Sequence, residues 1–191
     1  MNDFEKSYQT YTSILKIFES KKVTSPNKPA IIFNFVTTCL KLGKYKVALM
    51  VIENNINNLS AIPAFSLKTI CILNMCYLMV NQPKNITIKE LEALLSQNIE
   101  LSEKIYVRII IAIYYYSINK KGLAEIEIQN SYQFIHHHEE LNHYNELILT
   151  LKKIIEEDFK NDVKANIVAL KNDFGNTQIN LPILWMEKQL N

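Results

Sequence analysis

Glycine is nearly absent: the 191 residues contain three, Gly43, Gly122 and Gly175, and each stands alone. Neither a phosphate-cradling loop nor a dinucleotide-binding fingerprint can be built from isolated glycines, because both need several in one turn. Proline is sparse at five, and Arg108 is the sole arginine. The guanidinium fork grips phosphates and guanine edges with paired hydrogen bonds, so specific readout of nucleic acid is not expected. The three cysteines, Cys39, Cys71 and Cys76, are an odd number without framework spacing, and no two form Cys-x-x-Cys. Buried, reduced thiols in a cytosolic protein are the expectation. The longest apolar runs, 69–80 and 109–118, stop short of the ~18 residues that a spanning helix needs. The opening Met1-Asn2-Asp3-Phe4-Glu5 is polar where a secretory signal would be basic and then continuously apolar. A cytoplasmic protein with no membrane partner is the resulting expectation. There is no Gly-x-Ser-x-Gly elbow, and all four histidines fall within residues 136–143, so nucleophilic hydrolase chemistry has no candidate residues. Neither enzymatic activity nor a cofactor is expected.

What is present is apolar and helical in rhythm. Apolar residues make up 48% of the chain, enough for a continuous core. The 21 basic side chains nearly balance 19 acidic ones, but residues 1–50 carry eight Lys against three acids. Phe4, Tyr8, Tyr11, Leu15 and Phe18 recur at spacings of four and three, on one face of a first helix. The same rhythm returns in Tyr45, Ala48, Leu49, Ile52 and Ile56, and again in Leu141, Tyr144, Ile148, Leu151 and Ile155, which predicts a long amphipathic helix around Tyr144. Residues 65–80 and 105–118 are apolar nearly all round, as befits inner helices packed on more than one side. No segment alternates with the period of two that a strand requires. Pro29, Pro63 and Pro182 sit where helices should begin, positions at which the missing amide costs nothing. Thr87-Ile88-Lys89-Glu90 reads as a capping box.

An internal period organises these segments. Gly43, Asn81 and Asn119 are 38 residues apart and each follows an apolar helix. All three belong to the few residue types that tolerate the left-handed conformation at a helix C-terminus. Helical hairpins follow, in units of about 29–60, 61–100 and 101–138, with the helices of 139–191 as a cap, all within a single domain. In Leu42-Gly43-Lys44-Tyr45-Lys46-Val47-Ala48-Leu49 the chain resembles the tetratricopeptide repeat: Gly43, Tyr45 and Ala48 fall on its turn glycine, its aromatic and its small helix-contact residue, and Ala124 takes the small position in the third unit. Ile32 stands where the family has tryptophan and Val36 where it has glycine, and the period exceeds the family's 34 residues. Residues 101–190 also look like the C-terminal part of uncharacterised helical-repeat proteins of Bacteroidota-type bacteria, through Tyr132-Gln133-Phe134-Ile135 and Leu184-Trp185-Met186-Glu187. The resemblance implies an all-α fold of stacked antiparallel hairpins, a right-handed α-solenoid closed by a C-terminal capping helix.

Two sets of candidate residues emerge. His136-His137-His138-Glu139-Glu140-Leu141-Asn142-His143 holds every ligand type that zinc or iron would take. On a helix, however, His138 and His143 would point about 140° apart, whereas a His-Glu-x-x-His site needs its histidines on one face. A metal site at His136, His138, Glu140 and His143 is therefore the alternative reading. In peptide-binding tetratricopeptide domains the first helix of each pair lines the groove. Carried over, that pattern selects Phe33, Thr37, Leu40, Lys68, Cys71, Met75, Tyr106, Ile109 and Ile113. The resulting expectation is a non-catalytic scaffold that binds a protein segment, or a second copy of itself as a homodimer, on an apolar concave face. A peptide-sensing regulatory domain is a further alternative, although residues 1–28 are too short for a helix-turn-helix.

Overall fold

The structure is a computed structural model, and it describes residues 2–21, 25–156, 161–174 and 180–190. Among them are ten α-helices and one 3₁₀ segment, with no strand. The chain divides into two compact units, Met1–Val80 and Asn81–Asn191. This boundary falls inside the expected 61–100 hairpin, assigning its first helix to one unit and its second to the other.

The first unit contains α1 (Asn2–Lys21), α2 (Lys28–Lys41), α3 (Tyr45–Ser60) and α4 (Pro63–Met79), each packed on its neighbour in sequence. Helix α4 has no polar face, and every residue from 71 to 79 is buried. Its one amide side chain in that run, Asn74, gives a hydrogen to its own helix at the Ile70 carbonyl, 2.9 Å away, so burial leaves that donor satisfied. Helix α1 is the opposite case, since none of residues 3–21 is buried. It is held on α2 by Tyr8 stacked on Phe35 at 5.3 Å and by Lys41 and Lys44 lying over the rings of Phe4 and Tyr8.

The second unit contains α5 (Asn85–Leu95), α6 (Leu101–Ser117), α7 (Lys121–His136), a 3₁₀ segment (Glu139–Tyr144), α8 (Asn145–Ile155), α9 (Asn161–Phe174) and α10 (Asn180–Gln189). Packing again runs along the chain until α10, which lies on α9 and returns to α6. Trp185 of α10 is buried and meets Tyr116 of α6 edge-on at 5.8 Å. The Lys171–Glu187 ion pair and the Lys188–Asn81 hydrogen bond, each 2.9 Å, hold the helix at its polar side.

Several local expectations need correction. The long helix around Tyr144 is a six-residue 3₁₀ segment followed by an 11-residue α-helix. A 3₁₀ helix repeats every three residues, so Leu141 and Tyr144 share a buried face in either form and their spacing could not separate the two. Helix α5 starts at Asn85, before the expected capping box at Thr87, whose side chain lies outside the described residues. A capping box does form at α6, where the Glu100 amide donates to the Glu103 carboxylate. Pro29 and Pro63 occupy the first turns of α2 and α4, and α10 begins two residues ahead of Pro182. Gly175 falls outside the described residues.

The three punctuation residues behave as their spacing implies. Gly43, Asn81 and Asn119 have φ of 71°, 58° and 58° and are the left-handed residues among those described. At Gly43 the backbone closes with Gly43 N–H to Leu40 C=O and Lys44 N–H to Cys39 C=O; at Asn119 the equivalent bonds run from Asn119 to Tyr116 and from Lys120 to Tyr115. This paired arrangement satisfies carbonyls that the end of a helix leaves open. A Cβ added at Gly43 would meet nothing within 4 Å, so the need for glycine there is conformational. Gly43→Ala should therefore lower unfolding free energy by about 1 kcal/mol in urea denaturation. Gly122→Ala, equally open but inside α7, should be neutral or raise it by up to about 1 kcal/mol.

Candidate interaction surface

The residues expected to line a groove are placed mostly in the interior. Phe33, Leu40, Cys71, Met75, Tyr106, Ile109 and Ile113 are buried, and only Thr37 and Lys68 keep partial exposure. Phe33 is engaged by Phe65, stacked at 4.9 Å. The set is also divided, with Phe33, Thr37, Leu40, Lys68, Cys71 and Met75 in the first unit and Tyr106, Ile109 and Ile113 in the second. Buried side chains offer a ligand no surface, so the inner helices act here as core.

The histidine-rich segment straddles the end of α7 and the 3₁₀ segment, and its rings turn to different neighbours. His136 meets Tyr132 edge-on at 4.2 Å, His138 lies on Phe134 at 4.6 Å and His143 lies on Tyr144 at 4.0 Å. The Nδ1 of His143 faces the backbone carbonyl of Glu140 at 3.0 Å, while the Glu140 carboxylate approaches His138 at 3.9 Å. Among the described residues no group of three or more His, Cys, Asp or Glu side chains is placed to hold a metal ion. No described helix is long and apolar enough to cross a membrane.

The remaining chemistry-bearing side chains link helices. Arg108 of α6 pairs with Glu127 of α7 at 3.0 Å, and Tyr115 of α6 donates to Glu92 of α5 at 2.5 Å. Burial pushes the Cys39 thiol up to about 11 and raises Cys76 further, so neither is a thiolate at neutral pH. The Glu92 hydrogen bond, with burial, pushes the Tyr115 phenol up to about 12.

A cleft of about 390 Å³ lies between the first turns of α7 and the end of α8, lined by Gly122, Glu125, Ile126, Ile128, Gln129, Lys152, Ile155 and Glu156. Ile128 and Ile155 are buried at its floor, whereas Ile126 on one wall is 55% exposed. Leu149, 38% exposed, lies one turn before Lys152 on α8. The charged rim holds a Lys152–Glu156 pair at 3.8 Å. Sequence periodicity did not single out this site. The signal available was apolar surplus: Ala124, Ile128, Ser131 and Ile135 form the buried stripe of α7, and Ile126 lies on the opposite side of the helix from Ala124 at 100° per residue.

Titration of the buried groups sets a pH limit on stability. Cys39 and Tyr115 ionise ordinarily at 9.0 and 10.0 and are displaced upward to about 11 and about 12 on folding. Between those values the unfolded chain releases protons that the folded chain keeps, so stability is fully present below about pH 9 and is lost as pH rises. Tyr114 and Tyr144 act in the same sense, while Lys41 and Lys188, held low by burial, oppose it. The urea midpoint should hold steady from about pH 7 to 8.5 and fall above about pH 9, and Tyr115→Phe should flatten the descent above about pH 10.

In comparison with known proteins, the chain matches no family model, no curated protein and no solved structure.

Proposed function

We propose that this chain is a non-catalytic interaction module of stacked helix pairs, tetratricopeptide-like in plan, that binds a protein segment by burying apolar surface. The observation that carries this reading is the α7–α8 cleft, where Ile126 stands exposed above an isoleucine floor, with Leu149 exposed one turn from Lys152 at the rim. Apolar side chains held in water at the mouth of a concavity gain free energy when a partner covers them, roughly 25 cal/mol per Å² removed from water. The reading moves the binding surface from the inner face of the first helices to the seam between α7 and α8. The chemistry-bearing side chains elsewhere are in keeping with it: Cys39 and Cys76 of the first unit are buried and poorly ionised, and Arg108 and Tyr115 of α6 are engaged in helix-to-helix bonds.

Site-specific photo-crosslinking in the source cells tests it. With p-benzoylphenylalanine in place of Ile126 or Leu149, irradiation should yield protein adducts of discrete mass. The same reagent at Glu90, exposed on α5, should yield none. Absence of adducts at both cleft positions, or equal yield at Glu90, would overturn the reading.

A further inference from the structure

We infer that the α7–α8 cleft receives helix α1 of a second copy of this chain, with Ile17 as the inserted side chain. This rests on reading the cleft as a docking surface. Ile17 is 49% exposed on a helix with no buried side chain among residues 3–21. Ser13 precedes it by four residues and Ser20 follows by three, so on that face a branched aliphatic projects between two short side chains. The hydroxyls there are already satisfied within α1: Thr10 donates to the Lys6 carbonyl, Ser13 to Gln9 and Ser20 to Ile17. Covering this face would leave none of these three donors orphaned, which removes the usual penalty for burying polar groups.

The cleft is shaped and charged to match. Gly122 presents no side chain at its mouth, and the space where a Cβ would stand is open, so a helix backbone can come close there. Ile126 offers an apolar wall to an inserted isoleucine, and Leu149 adds exposed apolar surface one turn from Lys152 at the rim. Glu125 on the rim forms no ion pair among the described residues, in contrast to Glu156, which Lys152 partners. On α1, Lys21 lies one turn beyond Ile17 on the same face and is likewise without an ion pair among the described residues. The charge balance favours this pairing over a like-with-like one. Residues 1–80 hold nine Lys against four acids, and residues 81–191 hold 11 Lys and one Arg against 15 acids. A basic first unit is therefore drawn to the acidic second unit of another molecule, while identical units repel. The contact is heterologous, joining two different surfaces, so each copy keeps one free α1 and one free cleft for further association.

Light scattering coupled to size exclusion, over a tenfold concentration range, reads the outcome. The natural chain should rise above single-chain mass with concentration. Ile17→Glu and Ile126→Glu, both at exposed positions and checked for helicity by circular dichroism, should each restore single-chain mass. Mixed in equal amounts, the two variants should form a dimer and nothing larger, because one retains an intact cleft and the other an intact α1. Lys21→Glu should weaken association roughly tenfold, with recovery on adding Glu125→Lys. A natural chain that stays monomeric throughout, or an assembly that both single variants retain, would overturn the proposal. The two readings separate by mass: an adduct at position 126 weighing twice the chain supports self-docking, whereas an adduct with a different protein from a monomeric chain sinks self-docking and leaves the interaction module standing.

Discussion

Helices that are apolar on every side impose the central constraint on this chain. Residues 71–79 of α4 are buried without interruption, and α6 buries residues 105–107 and 109–114. A helix of this kind has no face that water can accept, so other helices must surround it. In the second unit α5, α7 and α10 pack on α6. Asn74 and Thr69 of α4 bond to their own backbone, at the carbonyls of Ile70 and Phe65, while the buried Tyr77 reaches Glu53 of α3. The interior therefore needs few specific polar partners, and the ties between helices collect at its margins, in Arg108–Glu127 and Tyr115–Glu92.

That constraint also accounts for the site. Once the inner helices are enclosed, their aromatic and aliphatic side chains are structural, whatever resemblance suggests about a groove. Exposed apolar surface is then left to residues on outer helices. Ile17, Ile126 and Leu149 are such residues, displaced from the stripes that face the core. Ile126 lines the α7–α8 cleft, and Ile17 stands on a helix with no buried side chain among residues 3–21.

Much of the fold was legible before any coordinates. Gly43, Asn81 and Asn119 marked the helix ends through residue type and a constant spacing, because a left-handed backbone is a local requirement that few side chains meet. Ala48 and Ala124 were legible as close-contact positions and are fully buried. The 3₁₀ segment at Glu139–Tyr144 was not, since a spacing of three suits both helix types over so short a length. The start of α5 was missed for a related reason: Thr87 and Glu90 satisfy a capping pattern by residue type, but an N-terminus is fixed by where the backbone turns, and that turn occurs at Lys84.

Sequence alone determined helix content, the sites of chain reversal and the assignment of 65–80 and 105–118 to the interior, because each depends on residues within a turn or two of one another. Only tertiary structure decided which apolar residues stay in water. Tyr106, Ile109 and Ile113 are sealed, while Ile126 is not, although all are apolar residues on neighbouring helices. The inner helix α6 is enclosed by α5, α7 and the returning α10, whereas Ile126 faces away from the buried stripe of α7. The return of α10 onto α6 joins elements remote in the chain, and no local pattern of residues encodes it.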